Sequence, residues 1–259
     1  MKDKLTIIKV GGKIVEEEST LRQLLDDIKT IEGKKVLVHG GGRSATRLAS
    51  SLGIETRMID GRRVTDEAML HIVTMVYAGS VNKNIVANLQ ARGINALGLT
   101  GADMDIIRSY QRPAQPVDFG YVGDIDKVDA ARLAQLIDSG IMPVMAPLTH
   151  NGNGQLLNTN ADTIAGETAK ALAKHYDVTL IYLFEKAGVL RNENDEESVI
   201  PHITEESFAM LQQEGIVKGG MIPKLQNAFS AIEKGVDKVI ITQANALKNK
   251  EKGTTVTKK

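Results

Sequence analysis

Two lysines stand beside paired glycines in this chain, at Lys9-Val10-Gly11-Gly12 and at Gly219-Gly220-Met221-Ile222-Pro223-Lys224, and a carboxylate stands in Asn158-Thr159-Asn160-Ala161-Asp162. A phosphoryl group in transfer carries spread negative charge. It needs fixed cations, backbone N–H donors and something to hold the cations still. These three segments hold those group types, so phosphoryl transfer to a small acid is the chemistry they suit.

Each segment also has a plainer account. Lys9 ends an apolar run and is followed by Gly11 and Gly12, which let backbone N–H groups approach an anion; a solvated lysine before a tight turn fits the same residues. Asn158, Asn160 and Asp162 recur at spacing two before a helical pattern from Thr163. Turn and cap roles are common for such residues, yet a helix needs one cap, which leaves at least one of the three for a ligand. Pro223 suits a first helical turn, so Lys224 falls at the positive end of a helix dipole, where a cation is disfavoured unless a polyanion binds. His39-Gly40-Gly41-Gly42-Arg43 spends three consecutive glycines, which is costly in chain entropy. An anion at the start of the next helix would explain them. Gly61-Arg62-Arg63-Val64-Thr65 offers one arginine as a bidentate clamp for a carboxylate; Arg62 reads as solvated.

The elements that would position these residues alternate. Leu5–Val10, Lys35–His39, Ile141–Ala146, Val178–Phe184 and Val236–Thr242 read as strands. Leu21–Ile31, with Leu21, Leu24, Leu25 and Ile28 on one face, and Arg43–Leu52 read as helices. Thr65 reads as an N-cap for a long helix to about Arg92, and Thr204 caps another ahead of Glu205 and Glu206. Phe119–Asp126 and Gly152–Leu157 look like hairpins over a cleft, and Gly253–Val256 like a returning edge strand. Alternation with near-continuous apolar strands predicts a mostly parallel α/β sheet covered on both faces. A lobe boundary falls near His175–Val178, giving an N-terminal lobe over 1–175 and a C-terminal lobe over 176–259.

Composition narrows the classes. Lys plus Arg and Asp plus Glu each total 32 in 259 residues, so the formal net charge is zero, which argues against a nucleic-acid partner. The absence of cysteine excludes disulfides and thiolate chemistry. The five histidines form no HxxxH or HExxH pair, so no protein-ligated metal is expected. No signal-peptide core and no run of membrane-spanning length is evident; no membrane partner and a cytoplasmic location are expected.

Taken in order, Ile8-Lys9-Val10-Gly11-Gly12, Val38-His39-Gly40-Gly41-Gly42, Gly61-Arg62-Arg63-Val64-Thr65, Asn158-Thr159-Asn160-Ala161-Asp162 and Gly220-Met221-Ile222-Pro223-Lys224 resemble the amino acid kinase family, nearly end to end. The resemblance implies a three-layer α/β/α sandwich with an acyl-amino-acid lobe, an ATP lobe and a homodimer built on the N-terminal lobes. It implies transfer of the γ-phosphoryl of ATP, with Mg2+ carried by the nucleotide, to the side-chain carboxylate of N-acetyl-L-glutamate, a step of arginine biosynthesis. Lys9 and Lys224 would stabilise the transferring group and Asp162 would hold both. Gly41, Gly42, Arg63, Asn158 and Asn160 would bind the acceptor; Gly11, Gly12, Glu185, Lys186 and Gly188 would meet the nucleotide. No general base is needed, since a glutamate carboxylate, with a pKa near ~4.3, is already ionised at neutral pH.

The chain departs from the family at Phe184-Glu185-Lys186-Ala187-Gly188, where relatives carry Ser/Thr-Asp-Val-x-Gly. Its first strand also begins near Leu5, with no room for the extra helix of arginine-inhibited hexameric relatives, so a dimer insensitive to arginine is expected. The alternatives are N-succinyl-L-glutamate as acceptor, with Arg62 or Arg43 meeting the added carboxylate; a sibling kinase acting on glutamate, aspartate, carbamate or UMP; and a non-catalytic protein of the same fold binding nucleotide or amino acid. A dinucleotide-binding account rests on Gly40-x-Gly42-x-x-Ala45 with Asp60, and leaves Lys9 and Lys224 unexplained.

Overall fold

The computed structural model describes residues 2–59, 61–247 and 252–258. The chain runs β1 (Lys4–Val10), α1 (Gly12–Glu16), α2 (Glu18–Thr30), β2 (Lys34–His39), α3 (Gly42–Ser51), β3 (Met58–Ile59), β4 (Arg62–Arg63) and α4 (Glu67–Val73). A π-helical stretch, Thr74–Val81, leads into α5 (Asn82–Gln90), then β5 (Ala96–Leu99), β6 (Ile107–Gln111), β7 (Gly123–Val128), α6 (Ala130–Asp138), β8 (Met142–Met145), β9 (Leu148–His150) and β10 (Leu156–Asn158). The last third holds α7 (Ala161–Leu172), β11 (Asp177–Phe184), β12 (His202–Ile203), α8 (Glu205–Gln213), α9 (Met221–Glu233), β13 (Lys238–Gln243) and β14 (Thr254–Val256).

The main sheet has the order β12-β14-β13-β11-β1-β2-β8-β5 and is parallel except where β14 runs against β13. β1 lies near its middle, paired in parallel with β11 and β2. Six of its seven residues are buried, which requires cover on both faces. Alternation along β1 divides the core. Leu5 and Ile7 join a cluster with α7 and α9 residues such as Ile164 and Leu225, while Ile8 and Val10 join one with Leu24, Leu25 and Ile28 of α2. The expected sandwich is therefore present, with Leu21, Leu24, Leu25 and Ile28 forming the buried face of α2. The sheet is continuous across residues 175–178, because β11 pairs with β1 over seven positions.

Three local expectations are corrected. Thr65 does not cap α4: Asp66 does, accepting from the Met69 N–H, while Thr65 is fully buried and bonded to Asn158. The stretch to Arg92 is not one regular helix, since the π-helical residues separate α4 from α5. The segment 254–256 is not an edge strand; it lies between β13 and β12, pairing with both. Thr204 does cap α8, through a reciprocal pair with Ser207. The Gly- and Asn-rich segments contribute to a separate four-stranded sheet, β10-β9-β6-β7.

Candidate active site

Strand periodicity aims Lys9. Side chains of β1 alternate, so Lys9 follows Leu5 and Ile7 onto the face covered by α7 and α9. Being near the strand's C-terminal end, it emerges where α7 and α9 begin. Lys9 is buried, and its Nζ lies 2.7 Å from Asp162 Oδ1 in the first turn of α7. Lys224, in the first turn of α9, faces the same space. Burial, and secondarily the charge on Lys9, lower its pKa, against the opposing pull of Asp162. Both lysines lie over the Phe184 ring, whose centroid is 5.5 Å from Lys9 Nζ and 3.7 Å from Lys224 Nζ. The starts of α7 and α9 thus meet at one cavity, lined by Asp162, Phe184 and Lys224 with Lys9 buried behind Asp162, a favourable place for a phosphate.

The two glycine turns lie back to back. A Cβ on Gly40 would come within 3.0 Å of the Gly12 N, and one on Gly12 within 3.4 Å of the Gly41 and Gly42 N atoms. A Cβ on Gly41 would approach Tyr77 Cδ1 to 2.8 Å. The run of glycines thus has a packing cause, which the sequence did not suggest. His39 anchors the second turn. It is fully buried; its Nδ1 donates to the Gly40 carbonyl at 2.7 Å, which leaves Nε2 to accept from Asn82 Nδ2 at 3.0 Å. Burial lowers its pKa to about 4, so this tautomer persists at neutral pH.

A second cavity adjoins the first, the two sharing Gly61, Arg62, Asn160 and Thr163. Gly41, Gly42, Arg63 and Asn158 line it. Arg63 is buried and donates through Nη2 to the Gly42 carbonyl at 2.8 Å and to Thr46 Oγ1 at 2.9 Å. Its guanidinium therefore fastens β4 to the start of α3 while facing the cavity. Asn158 donates to Thr65 Oγ1 at 2.9 Å. Asn160 is the N-cap of α7, its Oδ1 accepting from the N–H groups of Asp162 and Thr163. That leaves its amide NH2 group as the part available to a ligand.

The remaining expected residues line neither cavity, though the cleft beside Gly11 and Gly12 shares Phe184 with the first and Gly42 with the second. Gly11, Gly12 and Glu185 border a third cleft, where Glu185 pairs with Lys13 at 3.2 Å and Arg43 at 3.3 Å. Lys186 Nζ donates to the Glu193 carbonyl at 3.2 Å. Gly188 is buried, and a Cβ there would lie 2.8 Å from Thr254 Oγ1 and 2.9 Å from Val199 Cγ1, which is a packing reason for glycine. Asp60 lies outside the described residues.

Sequence reasoning missed Tyr77, Arg112 and Asp124. All three line the second cavity, and Arg112 is paired with Asp124. Tyr77 is a lone aromatic in an apolar stretch, and Arg112 and Asp124 belong to no motif, so nothing local singles them out. Arg62, expected to be solvated, is exposed but stands where the two cavities meet.

The sequence model of the amino acid kinase family matches residues 4–243. The chain belongs to the amino acid kinase family. Among similar proteins, a protein of Phocaeicola vulgatus named acetylglutamate kinase is 67% identical over 258 residues, covering 100% of both chains. One of the same name from Bacteroides thetaiotaomicron is 65% identical with the same coverage. The amino acid kinase fold also recurs in solved structures. N-acetylglutamate synthase from Neisseria gonorrhoeae superposes with a TM-score of 0.83 at 24% identity, over 98% of this chain and 59% of that one. Carbamate kinase from Giardia lamblia does so at 0.69 and 15% identity, over 100% and 99%. At such identities the likeness concerns the fold alone.

Proposed function

We propose that this member of the family transfers the γ-phosphoryl group of ATP to the side-chain carboxylate of N-acetyl-L-glutamate, a step of arginine biosynthesis. The observation that carries this is that Asp162, paired with Lys9, and Lys224 line a cavity continuous with the one lined by Arg63 and Asn158. The full-length relatives named acetylglutamate kinase support the acetylated acceptor over the succinylated one.

The reaction needs little beyond charge and position. An ionised carboxylate oxygen attacks the γ-phosphorus, the bond to the β–γ bridging oxygen breaks, and ADP leaves with an acyl phosphate formed. No proton is moved, so no general base is needed. Two anions must be brought together, and the cost falls on their repulsion. Lys9 and Lys224 offset it, and Asp162 holds Lys9 by direct contact and Lys224 through the field between them. Asp162 cannot neutralise both lysines, so a net positive charge is left facing the phosphoryl group. N–H groups of Gly11 and Gly12 meet phosphate oxygens, and those of Gly41 and Gly42 meet the acceptor's reacting end. Arg63 takes the α-carboxylate with its remaining donors, and Asn158 and the Asn160 amide contact the acylamino acid.

Among the described residues no group of three His, Asp or Glu side chains could hold a metal ion, and Asp162 is engaged with Lys9. That donor set fits Mg2+ only as an ion borne on the nucleotide's own oxygens, where it would supply further charge neutralisation. Nucleotide contacts at Glu185, Lys186 and Gly188 belong to the same proposal. Residues 1–175 would carry the acceptor site and the homodimer contact, and 176–259 the nucleotide. A cytoplasmic location suits such a reaction, and no helix among the described residues is long and apolar enough to cross a membrane.

The test is an ATP-dependent assay trapping the acyl phosphate with hydroxylamine. Trapped product from N-acetyl-L-glutamate and none from free glutamate is the expected result. Product from neither, with folded protein, overturns the proposal.

A further inference from the structure

Lys224 is a cation with an unusual partner. Among the described residues it has no carboxylate within 4.0 Å, and the chain's own paired carboxylate, Asp162, contacts Lys9 instead. What lies under the Lys224 ammonium is the face of Phe184, 3.7 Å from nitrogen to ring centroid. The ring is itself fixed. Phe184 follows Leu180 and Tyr182 on one face of β11, stacks on Tyr182 with centroids 6.1 Å apart and planes 23° from parallel, and packs against the core. Tyr182 is buried, and its hydroxyl donates to the Asp162 carbonyl at 3.3 Å.

We propose that Phe184 is a positioning residue for phosphoryl transfer: its ring holds the Lys224 ammonium in the cleft, doing the work of a counterion without adding negative charge. The inference rests on the function proposed above only for the role of Lys224; the ring–ammonium contact stands apart from it.

The physical case is one of signs. Lys9 and Lys224 repel each other, and Lys224 also faces the positive end of the α9 dipole. A second carboxylate would relieve both but would repel the incoming phosphoryl group. An aromatic face attracts the cation through its quadrupole, most strongly where water is excluded, and leaves the formal charge of the pair intact. The groups facing Lys224 are Lys9 on β1, Asp162 on α7, Tyr182 on β11 and Arg62 after the Gly61 turn. Of these only Asp162 carries a carboxylate. The ring thus supplies an attraction to Lys224 that neither Lys9 nor Arg62 can. A flexible lysine chain without it has many rotamers that point into water.

Two readouts test the proposal. The first needs no turnover. The lysines are reductively methylated with isotope-labelled methyl groups, and the Lys224 signal is assigned as the one missing from Lys224→Arg. A dimethylammonium over a ring face is shielded, so this signal should lie upfield of the other lysines. It should move to the common position in Phe184→Leu and stay upfield in Phe184→Tyr. The second readout is kinetic. Phe184→Leu should lower kcat about tenfold with a small change in KM for the acceptor, and Phe184→Tyr should recover most of it. A Lys224 signal among the other lysines in the wild-type chain overturns the proposal. So does a Phe184→Leu protein with wild-type kcat, or a Phe184→Tyr protein as impaired as Phe184→Leu. An upfield Lys224 signal in a chain that makes no acyl phosphate would leave the contact standing and sink the assigned function instead.

Discussion

Lys9 and Asp162 are 153 positions apart in sequence, yet Lys9 Nζ and Asp162 Oδ1 stand 2.7 Å apart. The pair ties the end of β1 to the start of α7. It places a cation where a helix N-terminus already favours anions, and its one carboxylate leaves the neighbouring Lys224 charge uncompensated. In the proposed mechanism that imbalance is what draws the phosphoryl group.

Removing either cation should therefore act on the transition state more than on binding. Lys9→Ala and Lys224→Ala should each lower kcat by about a hundredfold or more, with modest changes in KM for both substrates. Steady-state kinetics with varied ATP and varied acceptor would check this. An unchanged kcat in either variant would remove that lysine from the mechanism.

Arg63 has a structural job and a proposed binding one, and its substitution should show both. Arg63→Ala removes the proposed α-carboxylate contact and also the bonds to the Gly42 carbonyl and Thr46. The KM for the acylamino acid should rise at least tenfold, the KM for ATP should change little, and the melting temperature should fall. A rise confined to the KM for ATP would contradict the clamp role.

Asn160 is a structural cap in the first instance. Asn160→Ala should cost about 1 kcal/mol of stability, the usual loss on removing such a cap, measured by urea unfolding. Because Asp162 follows in the first turn of the capped helix, a modest fall in kcat should accompany it. Full stability in the variant would contradict the cap geometry.

His39 makes stability depend on pH. Its folded pKa, about 4, lies below the ordinary histidine value of 6.5. Between these values the unfolded chain binds the proton and the folded chain does not. This contribution is fully present above pH ~6.5 and is lost as pH falls toward ~4, a shift worth about 3 kcal/mol. Urea unfolding from neutral pH down to pH ~4 should show a steeper loss in the wild-type chain than in His39→Gln. Equal slopes would mean that His39 is not held neutral.

The sheet and the place of Lys9 at the end of a strand were legible in the sequence because apolar runs mark β1, β2 and β11; the side that Lys9 faces came from the cover of α7 and α9. The grouping of motifs was legible through their shared order in the family. What stayed hidden depends on contacts distant in sequence. Thr65 has the chemistry of a cap, but Asn158, 93 residues on, claims its hydroxyl. The glycines of the second turn look like an anion cradle, and the structure adds that Gly12 and Tyr77 press against them. Phe184 departs from the family pattern in sequence, but only the fold shows that Lys9 and Lys224 lie over its ring.

The central claim is that an acceptor carboxylate attacks the γ-phosphorus directly. The most direct measurement is phosphorus NMR of the wild-type protein with MgATP and N-acetyl-L-glutamate carrying heavy oxygen in its side-chain carboxylate. The account predicts a new acyl-phosphate resonance, shifted by a heavy bridging oxygen and growing as the γ-phosphate signal of ATP declines. ATP consumed to ADP and unlabelled phosphate, or ATP left intact, would contradict it.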